Sequence, residues 1–231
     1  MICVPIANDN LNDIISNAKR ALKLDADLLE FRIDYFQDIG LNSIKKFEAL
    51  TNFQVPMILT CRKKSEGGKA NIKENLRIKI LHKIIDLKPS YIDLEFSIDN
   101  SSLEKLINRA HDNDVEVILS YHNFERTESM AEIENLINSM NKMECNVLKI
   151  VMMAKTIYDN NIAFNLLKKT DQNGKEMISF CMGPLGVVSR IMCPFFGSKF
   201  TFASLDIPTA PGQISIQEMK KIHNLVKKNI N

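Results

Sequence analysis

The chain has no CxxC pair and no Cys/His spacing suited to a metal, and its five cysteines, Cys3, Cys61, Cys145, Cys181 and Cys193, are odd in number. They read as reduced, small hydrophobes of a cytosolic protein rather than as a disulfide framework or a metal knuckle. Charge of one sign is also lacking. With 30 basic and 28 acidic residues spread along 231 positions and a formal charge of +2, neither nucleic acid nor a membrane surface is indicated as a partner. The paired lysines Lys63-Lys64, Lys168-Lys169 and Lys220-Lys221 read as solvated faces. No uninterrupted apolar segment is long enough to cross a bilayer, and the opening Met-Ile-Cys-Val-Pro has no basic region before an apolar one. A soluble, unexported, cytoplasmic protein is expected. No GxGxxG follows a strand, which weighs against a dinucleotide-binding open sheet.

What is present is an apolar fraction of 45%, enough for a substantial core, arranged as strand-like and helix-like segments in alternation. Strands are expected over residues 2–7, 28–34, 56–62, 91–96, 115–122, 146–153, 177–182 and 200–204. Pro5 is awkward in the first of them unless it lies at the strand's end. Helices follow each strand. One is carried by Ile44, Phe47 and Leu50, and others open on capping boxes at Ser101 with Glu104, Ser129 with Glu132, and Ser215 with Glu218. The link over residues 63–71 holds Gly67-Gly68 and is expected to be mobile. Eight βα units in one chain of this length predict a single (β/α)8 barrel over residues 1–231.

In that fold function collects at the C-terminal ends of the strands, and alternation says which side chains point inward there. Leu29, Phe31 and Ile33 must meet the helices, so Glu30, Arg32 and Asp34 face the interior. Thr60 and Arg62, Asp93 and Glu95, and His122 follow by the same rule. Lys149 stands in the middle of the apolar run Asn146-Val147-Leu148-Lys149-Ile150-Val151-Met152-Met153 and also faces inward. Each has an ordinary structural reading: an ion pair for Glu30 and Arg32, a core histidine, a capping or anchoring role for Glu95, a lysine that snorkels to water. Charged residues from five strands sharing one interior are costly unless something polar binds there. His82, His111 and His223 fall in helical or linking segments and read as surface residues. A poorly solvated lysine beside a histidine suits covalent catalysis through an iminium ion, with imidazole as proton shuttle, and arginines suit a substrate carboxylate.

Several short motifs, spaced about one per βα unit, carry a resemblance. They are Glu30-Phe31-Arg32-Ile33-Asp34, Thr60-Cys61-Arg62 with Glu66-Gly67-Gly68, Asp93-Leu94-Glu95, and Ser120-Tyr121-His122-Asn123-Phe124. Leu148-Lys149-Ile150, Gly186-Val187-Val188-Ser189-Arg190, Phe196-Gly197-Ser198 and Ala210-Pro211-Gly212-Gln213 complete the set. In this order and over nearly its whole length the chain resembles the type I 3-dehydroquinate dehydratases, Schiff-base enzymes of the shikimate pathway. The resemblance implies that Lys149 forms the Schiff base, that His122 is the general acid and base, and that Glu95 orients and charges that histidine. It further implies that Arg190 holds the substrate carboxylate, that Glu30, Arg32 and Arg62 surround its hydroxyls and carboxylate, and that Gln213 with the loop before it forms a lid. Thr209 stands where the family usually has serine, keeping a hydroxyl and adding a methyl. Asn123 replaces a common aspartate, and Ala154 a frequent proline. An N-terminal hairpin of some relatives is expected to be absent. The implied reaction is a syn dehydration of 3-dehydroquinate by a homodimer, with neither metal nor organic cofactor. Another lysine-dependent barrel lyase or aldolase, and a catalytically silent barrel that senses a small carboxylate, are the alternatives.

Overall fold

The computed structural model describes residues 1–168 and 175–230, so Lys169 of the paired lysines lies outside the described residues. Eight parallel strands follow one another: β1 (Ile2–Ile6), β2 (Leu28–Arg32), β3 (Met57–Thr60), β4 (Tyr91–Glu95), β5 (Glu116–Asn123), β6 (Val147–Met153), β7 (Glu176–Met182) and β8 (Thr201–Phe202). They pair in chain order, and β8 returns to β1, with Ile2 opposite Thr201 and Cys3 opposite Phe202. The seam between β7 and β8 is spanned by the Lys199 N–H, which donates to Met177 O at 2.8 Å. The Lys199 ammonium then ties Glu116 and Glu176 together across that end of the barrel. Pro5 is accommodated inside β1 because pairing with β8 stops at Cys3, where a missing N–H no longer removes a ladder bond.

Outside the strands lie α1 (Leu11–Lys23), α2 (Glu74–Ile85), α3 (Asn100–Asp112), α4 (Met130–Met140), α5 (Asn160–Lys168), α6 (Val187–Met192) and α7 (Ile216–Ile230). The layered result is the expected (β/α)8 barrel, with apolar side chains of the strands buried against the helices. After β2 the connection Leu41–Asn52 is a 3-10 helix. Its buried Ile44, Phe47 and Leu50 recur every third residue, the repeat that three residues per turn brings onto one face. Asn10 caps α1, and Ser129 and Glu132 form the expected reciprocal box on α4. At α3 the cap is Asp99, whose carboxylate accepts the Ser102 N–H at 3.0 Å, so the helix starts before the serine box expected there. His223 is a second correction. It continues the inner stripe of Ile216 and Met219 on α7, is buried, and has Nε2 2.7 Å from Ile191 O. Among the described residues, no helix is long and apolar enough to cross a membrane.

Candidate active site

At the C-terminal ends of the strands lies a cleft open to solvent. Glu30 and Arg32 of β2, Arg62 after β3, His122 of β5 and Lys149 of β6 line it, as do Arg190 of α6, Thr209 and Gln213. Alternation explains this convergence: Phe31, Leu94, Leu119, Leu148 and Ile150 point outward into the core, which turns their polar neighbours inward. The apolar part of the lining comes from Phe124, Val151, Phe180, Met182 and Phe202. Lys149 is 5% exposed, which places it inside rather than at a strand end in water. Its Nζ is 2.9 Å from Asp93 Oδ2 and 4.5 Å from the centre of the Phe202 ring.

The arginines differ in what they hold. Arg32 grips Asp34 through Nε and Nη2, at 2.9 and 2.8 Å. Arg62 reaches Asp93 at 2.7 Å and Glu95 at 3.3 Å. Glu30 accepts from the Thr60 hydroxyl at 2.8 Å. Among the described residues, no carboxylate pairs with Arg190. It is 1% exposed, stacks its guanidinium 4.4 Å over Phe180, gives one hydrogen bond to Pro211 O at 3.2 Å, and leaves Nε unpaired. Burial accordingly pulls its pKa down to about 10. A buried, under-bonded guanidinium facing a cleft is a receptor for an anion. Beside it, Gln213 Oε1 accepts from the Thr209 N–H at 2.7 Å, from the Thr209 hydroxyl at 3.2 Å and from the Ala210 N–H at 3.3 Å. The Thr209 hydroxyl therefore serves the loop's own fold.

The expected partnership of Glu95 with His122 is not what the structure contains. Glu95 is absent from the cleft lining: its Oε1 accepts the Lys63 N–H at 2.7 Å and its Oε2 meets Arg77 of α2 at 2.7 Å. The carboxylate against His122 is Glu66, whose Oε2 lies 3.1 Å from Nδ1 while its Oε1 accepts from the Ser97 hydroxyl at 2.6 Å. A carboxylate accepts, so Nδ1 carries the proton and Nε2 is left as the base. Burial, reinforced by Arg62 and Lys149, holds His122 well below the ordinary histidine range, which keeps the resting imidazole neutral. Glu66 reaches this position because the link after β3 folds back as a 3-10 turn, Lys64–Glu66, ending in Gly67 at φ 85°. A Cβ on Gly67 would sit 2.5 Å from the Phe124 ring, and one on Gly68 would sit 2.0 Å from Arg62 O. The link expected to be mobile is pinned at its ends: Asp34 accepts the Arg62 and Lys69 N–H groups, at 3.2 and 2.9 Å. The sequence signal for Glu66 was its place before the glycine pair, four residues beyond Arg62.

Comparison with known proteins identifies the family. The model of the family described as type I 3-dehydroquinase matches residues 2–230. A protein named 3-dehydroquinate dehydratase from Methanococcus maripaludis is 34% identical over 229 residues, covering 98% of this chain and 100% of that one. Another so named, from Thermococcus onnurineus, is 33% identical over 218 residues, covering 92% and 95%. The crystal structure of type I 3-dehydroquinate dehydratase from Clostridium difficile with covalently modified comenic acid superposes with a TM-score of 0.88 at 28% identity, over 99% of this chain and 92% of that one. With its barrel, its inward lysine and histidine and a family match over residues 2–230, this chain belongs to the type I 3-dehydroquinase family.

Proposed function

We propose that the chain dehydrates 3-dehydroquinate to 3-dehydroshikimate by syn elimination through a Schiff base on Lys149, acting in aromatic amino acid biosynthesis. The observation that carries this reading is the meeting, in one cleft, of a buried amine, a neutral imidazole and the under-bonded Arg190. Arg190 takes the substrate carboxylate, while Glu30, Arg32 and Arg62 face its hydroxyls. His122 Nε2 takes a proton from Lys149 as Nζ adds to the C3 carbonyl carbon and returns it to the oxygen, which departs as water with a second hydrogen from nitrogen, leaving an iminium ion. His122 Nε2 then removes a C2 proton, the C1–O bond breaks, and the same imidazole protonates the leaving hydroxyl. One base on one face makes the elimination syn. Glu66, replacing Glu95 in this role, fixes the tautomer throughout. Hydrolysis of the product iminium frees Lys149.

Borohydride added during turnover of 3-dehydroquinate is expected to inactivate the protein and leave the reduced ligand on the peptide containing Lys149. An adduct on another lysine, or none, overturns the mechanism. We assign the reaction to the cytoplasm and to a homodimer. Support for self-association comes from the exposed Ile157, Tyr158, Leu185, Val188 and Phe196 on the α5 and α6 side. Sedimentation equilibrium tests it, and a monomer at all concentrations rejects it.

A further inference from the structure

Beneath the cleft, and not among its lining residues, Asp93 is 1% exposed with both oxygens engaged. Its Oδ2 meets Lys149 Nζ at 2.9 Å and Arg62 Nη2 at 2.7 Å, and its Oδ1 accepts from the Ser120 hydroxyl at 2.6 Å. Ser120 Oγ in turn accepts from Arg62 Nη1 at 2.7 Å. Register brings these groups together: on three successive strands, Glu95 pairs with Ser120 and Ser120 with Lys149, while Asp93 lies two residues before Glu95 on the inward face. Burial alone would favour the protonated acid, but Arg62 and Lys149 outweigh it and hold the Asp93 carboxyl well below its usual range. The carboxylate is thus a fixed negative charge, with Lys149 as the one neighbour that the chemistry alters.

We infer that Asp93 is a positioning residue for the covalent step, its Oδ2 accepting the hydrogen on Lys149 Nζ both before and after the lysine condenses with a carbonyl. This inference rests on the Schiff-base reading above. The step balances without an added proton: an ammonium and a ketone give an iminium and one water, which carries away the carbonyl oxygen and two of the three ammonium hydrogens. The positive charge beside Asp93 is unchanged, but nitrogen goes from tetrahedral with three N–H bonds to planar with one. A single N–H directed at a fixed oxygen sets the plane of the C=N bond. That plane decides which face of the neighbouring carbon is turned to His122, so the carboxylate acts on the stereochemistry without touching substrate.

The test uses the full chain and two variants, Asp93→Asn and Asp93→Glu. Trace acetic anhydride at neutral pH, read by mass spectrometry on the Lys149 peptide and normalised to exposed Lys19, reports amine availability without substrate. In Asp93→Asn the Lys149 nitrogen loses the carboxylate that holds it at 2.9 Å, so Lys149 is acetylated about tenfold faster or more. The fraction trapped by borohydride during turnover falls about tenfold. Asp93→Glu keeps the charge and is acetylated within about threefold of the parent, but its displaced oxygen lowers kcat about fivefold while KM moves less. Parental acetylation of Lys149 in a folded Asp93→Asn overturns the inference, and so does parental turnover in Asp93→Glu. Should Asp93→Asn not fold, Asp93→Glu decides alone. Failure to trap the parent at Lys149 would defeat the Schiff-base reading instead, and the acetylation ratio would still judge Asp93.

Discussion

Arg190 is a buried cation that the free protein leaves short of partners: one carbonyl, one aromatic face and an unpaired Nε. A carboxylate laid against it supplies two parallel hydrogen bonds and a counter-charge together. Arg190→Lys keeps a cation but loses the fork, and is expected to cost about 1.5 to 3 kcal/mol in kcat/KM, with most of the loss in KM. Steady-state kinetics on folded Arg190→Lys checks this, and an unchanged kcat/KM removes Arg190 from the site. At this scale the sequence was a good guide. Strand alternation turns Lys149, His122, Glu30, Arg32 and Arg62 into the cleft, and Arg190, Thr209 and Gln213, which only the resemblance indicated, line it from a helix and a loop. Alternation says nothing, however, about which oxygen meets which nitrogen, and the pairing of carboxylates was the part misread.

That misreading belongs to the elements between the strands. Glu95 ends β4 beside β5, and the resemblance gave it His122 as partner; but α2 packs over that corner and presents Arg77, which bonds Glu95, Glu74 and Cys61 O. The turn Lys64–Glu66 then delivers the other carboxylate from above. Its path depends on Gly67 and Gly68 approaching Phe124 and the backbone, contacts that no strand or helix period encodes. The two glutamates are therefore expected to separate function from stability. Glu66→Gln should lower kcat about tenfold with little change in Tm, because it loosens the hold on His122 while the amide oxygen can still accept from the Ser97 hydroxyl. Glu95→Gln should destabilise by about 3 kcal/mol in urea titration, since it leaves Arg77 and Arg62 buried beside a neutral amide. The reverse ranking would restore Glu95 as the partner of His122. The 3-10 helix Leu41–Asn52 and the Asp99 cap were likewise matters of local competition: in the first a threefold apolar spacing prevails over an α-helical repeat, and in the second a better cap precedes the serine.

Over the whole molecule, burial is the leading influence on three of the four histidines, lowering His82, His122 and His223. Unfolded, each takes a proton near the ordinary value of 6.5. Folded, each refuses it until lower pH, so the unfolded chain binds more protons and stability falls as pH drops below about 6.5. Asp93 acts at the far end of the acid range: its depressed value adds stability above about pH 4 that is lost on further acidification. Tm is therefore expected to decline from pH 7 to 5.5, before most carboxylates titrate, and a flat Tm over that interval would show the histidines to be freely protonated. The seam at Lys199 bears on how the molecule comes into being. As the chain is synthesised, β1 emerges first but its outer edge waits for Thr201 and Phe202, almost the last strand residues made. Phe202, Thr209 and Gln213 lie beyond that seam, so a ribosome-bound chain lacking its final segment already contains Lys149, His122 and Arg190 yet has no finished cleft. The order of synthesis thereby leaves the completion of the cleft to the docking of the last strand.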